Sequence, residues 1–286
     1  MNRRKGIEMR SEIYYFTGTG YSLSVAKDLA NRLEADLIPV ISTINKEKIT
    51  TEADTLGFIF PIYDFKAPQI INDLVKKIED LQSKYLFAVC TFGVMPLDTM
   101  KKLGKEIRSA GGSLSGGFAI KMPHNGLGYD RISMEIRKKM FEESRENIPD
   151  IADYVHKQKK GTIEKGKTGD RIKLAGILAR MTPKLVPMMK QALFHGWDSL
   201  GFYPDENCNG CRTCTGICPV ENISMKDGKP VWGDNCLNCF ACIHWCPEKA
   251  IQIAKLTKNM ERHHHPDITI SDMLKQKNHN NSIRGP

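Results

Sequence analysis

Short apolar runs alternate with amphipathic stretches over the first half of the chain. Ile13-Tyr14-Tyr15-Phe16 is a compact, aromatic-rich run and predicts a buried strand. Leu23, Val25, Ala26, Leu29, Ala30 and Leu33 follow at the spacing of one helix face. Further apolar runs at Leu37–Val40, Thr55–Phe60, Tyr85–Cys90 and Gly117–Ile120 predict four more strands. Helical patterns lie between them, including Pro68–Ile78 and Pro96–Ser109. Such alternation implies a parallel sheet with helices on both faces. No run approaches the ~20 apolar residues of a membrane helix. The charged first ten residues are not followed by the apolar stretch of a signal peptide, so a soluble, cytoplasmic protein is expected.

Cysteine changes the picture in the last third. Of nine cysteines among 286 residues, eight fall between Cys208 and Cys246. The order is Cys208-x2-Cys211-x2-Cys214-x3-Cys218-Pro219, then Cys236-x2-Cys239-x2-Cys242-x3-Cys246-Pro247. Each cysteine of the first run returns 28 residues later, as do Asn207 at Asn235 and Ile223 at Ile251. A repeat of this kind implies two copies of one unit related by a pseudo-two-fold. With no export signal, reduced thiolates acting as soft metal ligands fit better than disulfides. Structural zinc would use paired Cys-x2-Cys knuckles, which leaves the third cysteine, the proline and the duplication without a role. In this spacing the fourth cysteine of each run ligates the other cluster. One 4Fe-4S cluster is therefore assigned to Cys208, Cys211, Cys214 and Cys246. The second is assigned to Cys236, Cys239, Cys242 and Cys218. The segment from Trp197 to Lys255 resembles a bacterial-type ferredoxin with two 4Fe-4S clusters, and all eight ligand positions match. Trp232, Trp245 and Tyr203 lie near these ligands in sequence and read as packing around the clusters.

Between the first predicted strand and helix stands Thr17-Gly18-Thr19-Gly20-Tyr21-Ser22. Two glycines allow close backbone approach to a ligand. The hydroxyls of Thr17, Thr19 and Ser22 beside a helix start make an anion site without Lys or Arg. Neither the P-loop nor the Gly-x-Gly-x-x-Gly fingerprint is present. The motif resembles the phosphate loop of flavodoxins, and with the strand–helix alternation the resemblance covers Ser11 to Tyr154. It implies an α/β, doubly wound parallel sheet of order 2-1-3-4-5, with FMN at the carboxyl ends of strands 1 and 3. It also implies cofactor loops at Thr17–Ser22, at Pro61–Pro68 and at Thr91–Met95. Tyr63 and Phe65 would cover the flavin ring or serve as ordinary loop packing. Thr91-Phe92-Gly93 would run along its polar edge, with Phe92 where flavodoxins generally carry Tyr. His124 and Asn125 follow the fifth strand and approach the same edge, although a structural role suits the histidine.

Taken together, the chain looks like a flavodoxin–ferredoxin fusion of anaerobic bacteria. The expected organisation is an FMN unit over 1–155, a basic helical connector over 156–196, an α+β two-cluster unit over 197–258 and a tail over 259–286. The connector carries Leu174, Ile177, Leu178, Met181, Leu185 and Met188 roughly on one face, with a break expected near Gly161. His263-His264-His265 is short for a tag and reads as part of a structured tail. Cys90 ends a predicted core strand and reads as a small buried residue.

The formal charge is 42 − 33 = +9. Two cubane sites at about −2 each and an FMN phosphate at about −2 would bring the loaded chain to about +3. The basic balance is thus partly a counterweight to cofactors, and nucleic acid is not expected as a partner. The expected function is electron transfer between FMN and a redox partner protein through two 4Fe-4S clusters. Two alternatives stand beside it: a flavin-dependent reductase of a small substrate, and a non-catalytic iron–sulfur module with an empty flavodoxin-like domain. Contact of the basic connector with a membrane surface is weighed and not favoured.

Overall fold

The computed structural model describes residues 10–126, 132–164, 191, 201–254 and 256–277. Six strands form one parallel sheet: β1 (Ser11–Tyr15), β2 (Asp36–Pro39), β3 (Thr55–Pro61), β4 (Tyr85–Phe92), β5 (Leu114–Lys121) and β6 (Thr162–Ile163). Their order is β2-β1-β3-β4-β5-β6, the expected 2-1-3-4-5 with one short strand added at the edge. The inner strands are apolar throughout because helices cover both faces. In β4 every residue from Tyr85 to Thr91 is buried, Cys90 among them. The sheet therefore runs beyond residue 155, and Gly161 (φ 98°) turns the chain into β6.

Helix α1 (Tyr21–Leu33) buries Leu23, Val25, Ala26, Leu29, Ala30 and Leu33, the face predicted from their spacing. Helices α2 (Gln69–Lys77) and α3 (Thr99–Ser109) fill the expected intervals. Helix α4 (Met134–His156) has 23 residues and packs along α1. Its sequence pattern is weak for a physical reason. Arg137 and Ser144 occupy inward positions, and Pro149 sits inside the helix, where one backbone hydrogen bond is lost. Among the described residues no helix is long and apolar enough to cross a membrane. Of the expected connector, 165–190 and 192–196 lie outside the described residues, and with them the whole stripe from Leu174 to Met188.

The C-terminal unit is small. Strands β7 (Phe202–Pro204) and β10 (Ile251–Ile253) pair antiparallel, and β8 (Ile223–Lys226) and β9 (Lys229–Trp232) form a hairpin. Two short helices, α5 (Thr213–Ile217) and α6 (Ala241–His244), follow equivalent positions of the cysteine repeat. The unit docks on the sheet domain. Trp245, Ala241, Cys239 and Ile217 join the same apolar core as Phe16 and Leu23.

The tail then crosses back over the sheet domain and ends in α7 (Ile270–Lys275), whose N-terminus carries a Thr269–Asp272 capping box. The Arg137 guanidinium on α4 donates to both carboxylate oxygens of Glu261 at 2.8 and 2.7 Å. Lys27 pairs with Asp272 and Arg145 with Asp267. His263 Nδ1 meets the Tyr21 hydroxyl at 2.7 Å. Burial pushes the imidazoles of His263 and His265 down to about 4.

Acid should loosen this tail. Tyr21, Arg137, Glu261, His124, His244 and His264 surround His263; Lys27, Arg145, His264 and Asp267 surround His265. Both histidines are held below their ordinary 6.5, so the undocked tail binds more protons. Docking is then fully supported above about 6.5 and weakens as pH falls toward about 4. Hydrogen exchange over 259–277, corrected for intrinsic rate, should be deeper at about pH 5 than at about pH 7. Equal protection at the two values would contradict it.

Candidate functional site

The two cysteine runs fold as one design used twice. Left-handed backbone recurs at equivalent points 28 residues apart: Gly210 and Asn238, Arg212 and Phe240, Glu221 and Lys249. Only the first of these six is glycine, so five residues with a Cβ hold a conformation they rarely adopt. Each such turn reverses the chain around its cysteines. Backbone N–H groups also donate to sulfur at repeated points, Asn222 to Cys218 Sγ at 3.2 Å and Ala250 to Cys246 Sγ at 3.3 Å.

The eight thiols line two cavities. Cys218, Cys236, Cys239 and Cys242 surround one with about 340 Å³ of empty space. Cys208, Cys211, Cys214 and Cys246 surround the other, about 290 Å³. Each cavity takes three thiols from one run and the fourth from the other copy. Among the described residues no three His, Cys, Asp or Glu side chains are placed to hold a single metal ion. Four thiols spread round one cavity, with no three of them close enough to share one ion, suit a four-iron cube better than one tetrahedral ion. In the first cavity the buried Trp232 indole N–H is directed at the sulfur of Cys242. Phe202 stacks on Trp232 at 5.6 Å, and Phe240 closes the same wall. Tyr203 instead points outward, its hydroxyl on the Ala254 carbonyl.

The cavities differ in exposure. Cys239 and Cys242 are buried, whereas Cys211 is exposed. Burial pushes the Cys239 thiol up to about 12 and that of Cys214 up to about 11. Loading these sites with metal must therefore expel protons.

A third cavity opens at the carboxyl ends of β1, β3, β4 and β5, with about 340 Å³ of empty space. Thr17, Gly18, Thr19, Tyr21 and Ser22 form its floor. Pro61 and Ile62 form one side; Thr91, Phe92 and Gly93 form another, with His124 and Asn125 beside them. Gly20 (φ 86°) turns the loop into α1, and its N–H donates to Thr17 Oγ1 at 2.9 Å. Ser22 Oγ and Thr91 Oγ1 meet at 2.8 Å, which joins the first and third loops. Among the described residues lining this cavity there is no Lys or Arg, so hydroxyls and peptide N–H groups are the donors it could offer an anion. Burial lowers His124 to about 4 and keeps it neutral.

Tyr63 and Phe65 do not line this cavity. Asp64 and Phe65 both take left-handed backbone in a tight turn closed by hydrogen bonds between Tyr63 and Lys66. The turn sends Tyr63 inward, edge-on to Phe16, with its hydroxyl against Gly18. Phe65 lies half-buried in the turn, and its carbonyl accepts from Thr99 Oγ1. Of the expected aromatic residues, Phe92 and Tyr21 are at the cavity.

The two units meet at this floor. A Cβ on Gly18 would come within 2.5 Å of the Cys239 carbonyl oxygen. Asn125 Nδ2 donates to that same oxygen at 3.3 Å, and His244 Nε2 lies 2.9 Å from the Asn125 carbonyl. The Trp245 indole N–H donates to the Gly18 carbonyl at 3.0 Å. These partners lie more than a hundred residues apart in sequence, and no local pattern marks them.

Residues 207–264 match the family model of the 4Fe-4S dicluster domain. The chain matches none of the curated proteins. Among solved structures it is similar to a flavodoxin from the domain Archaea: 16% identity, TM-score 0.37, covering 52% of this chain and 99% of that one. It is also similar to the rubredoxin oxygen:oxidoreductase of the anaerobe Desulfovibrio gigas: 13% identity, TM-score 0.35, covering 52% of this chain and 36% of that one. A third is the Trp repressor binding protein of Bacillus subtilis: 14% identity, TM-score 0.34, covering 49% and 96%. The chain thus joins a flavodoxin-like sheet domain, with strand order 2-1-3-4-5 plus an edge strand, to a 4Fe-4S domain.

The crossed arrangement of thiols has a direct consequence. Cys218→Ser should strip metal from the cavity built mostly from the second run. Cys246→Ser should strip it from the cavity built mostly from the first. Iron analysis and low-temperature electron paramagnetic resonance on the two variants should show different surviving signals, each with about half the iron. Identical surviving signals would contradict the crossing.

Proposed function

We propose that this chain is an electron-transfer protein that holds FMN in the third cavity and one 4Fe-4S cluster in each thiol-lined cavity. It would pass electrons between the flavin and a redox partner protein. One observation carries this reading: Gly18, on the floor of the flavin cavity, lies against the backbone of Cys239, a ligand of the first cluster cavity. Flavin exchanges electrons in pairs or singly and a cubane singly, so one chain holding both joins two-electron to one-electron chemistry.

The remaining work belongs to the protein. The Thr17–Ser22 loop would hold a phosphate by hydroxyls and peptide dipoles, at a helix N-terminus that favours an anion. Phe202, Trp232 and Phe240 keep water from the first cluster cavity. Neutral His124 stands beside the flavin cavity without adding charge to it. The exposed edge at Cys211 is where a partner would approach the second.

Protein purified without oxygen and supplied with FMN should carry about eight iron and one FMN per chain. Photoreduction of the flavin should bleach cluster absorbance within the same molecule, at a rate independent of protein concentration. Zinc in place of iron, or failure to retain FMN, would overturn the reading. Rapid turnover of NAD(P)H with a small acceptor, without cluster bleaching, would favour a substrate reductase instead.

A further inference from the structure

The Gly18 carbonyl does not face the flavin cavity. It is taken by the Trp245 indole N–H at 3.0 Å, in a buried contact 227 residues away in sequence. The next carbonyl, that of Thr19, accepts from the backbone N–H of His265 at 2.9 Å. In a trans peptide the C=O and N–H point in opposite directions. Drawing the Gly18 carbonyl toward Trp245 therefore turns the Thr19 N–H the other way, toward the floor of the cavity. Drawing the Thr19 carbonyl toward His265 does the same for the Gly20 N–H, which meets Thr17 Oγ1. Without these two contacts either carbonyl could rotate inward, and a carbonyl oxygen repels a phosphate.

The anchors are themselves held. His264 stacks flat on the Trp245 indole, with centroids 3.9 Å apart and planes 12° apart. Ile268 packs under Gly20 so closely that a Cβ there would touch it at 3.0 Å. The 4Fe-4S domain and the tail thus grip the outer surface of a loop whose inner surface belongs to the other domain.

We propose that Trp245 and the His265 backbone are positioning groups that make the Thr17–Ser22 loop selective for a flavin bearing a terminal phosphate. Trp245 does not line the third cavity; it acts through the Gly18–Thr19 peptide. The inference rests on the reading of the third cavity as a flavin site.

The test is titration of FMN and of riboflavin, followed by quenching of flavin fluorescence, into flavin-stripped full-length protein with its iron in place. Trp245→Phe keeps a packed ring and removes the N–H. It should raise the Kd for FMN about tenfold, the scale of one hydrogen bond to a charged group, and leave riboflavin within about twofold. His264→Ala removes an exposed ring that steadies the indole and should raise the FMN Kd about threefold, again without moving riboflavin. An equal loss for both flavins in Trp245→Phe, or no loss for either, would overturn the proposal. Should Trp245→Phe lose iron, His264→Ala decides by the same criterion. Wild-type protein that binds FMN no better than riboflavin overturns this inference alone. Wild-type protein that binds neither removes the flavin reading beneath it.

Discussion

Backbone meets backbone at Gly18, and much of the molecule is arranged around that contact. The Cys239 carbonyl sits where a side chain would start, so only glycine lets the two domains close to this distance. Around it Asn125, His244 and Trp245 supply hydrogen bonds that leave few polar groups stranded at a buried junction. The apolar core runs without a break from Phe16 through Trp245, so the 4Fe-4S domain is seated rather than tethered. A contact of this kind has little tolerance for sliding, because interiors are close-packed and hydrogen-bond geometry is steep in distance.

The cysteine repeat shows why a small unit accepts strained backbone. Five non-glycine residues in left-handed conformation are costly for a segment with few strands and two very short helices. Such a segment buries too little apolar surface to offset that cost by packing alone. On the proposed reading, bonds from the thiolates to metal would supply the missing free energy, in the manner of small metal-dependent domains. The fourth thiol of each cavity comes from the other copy, so neither cavity is complete in one copy alone.

Much of this was legible in the sequence, and the limits have identifiable causes. The strands followed from apolar runs separated by helical spacing, because strands buried on both faces cannot hide their composition; their order followed only from the resemblance to flavodoxins. The eight cysteines announced themselves by spacing alone. Helix α4 was obscured by Arg137, whose buried charge is answered by Glu261 more than a hundred residues away. Tyr63 looked like a flavin cover because its loop position suited one; left-handed turns at Asp64 and Phe65 rotated it inward. The short strand β6 lay beyond the expected boundary because two residues leave no periodic signal. Trp245 read as packing around a cluster, and nothing local revealed that its N–H reaches the Gly18 carbonyl. Contacts set by docking are not written in any one segment.

The pseudo-two-fold of the repeat would make its two cavities equivalent, and docking makes them unequal. Cys239 is buried in the core shared with the sheet domain and Cys242 in the core of its own unit, while Cys211 stays in solvent. Burial and hydrogen bonding to sulfur are the protein's main means of setting a cluster's potential. One duplicated sequence therefore produces two sites with different surroundings without changing a single ligand. The first cavity is walled by Phe202, Trp232 and Phe240; the second is lined by Met225, Pro230 and Ile251 together with Asn209, Arg212, Thr213 and Glu248. The difference between the two sites is thus a property of how the repeat is seated: Cys239 packs into the core of the sheet domain, and Cys211 stands exposed on the far copy.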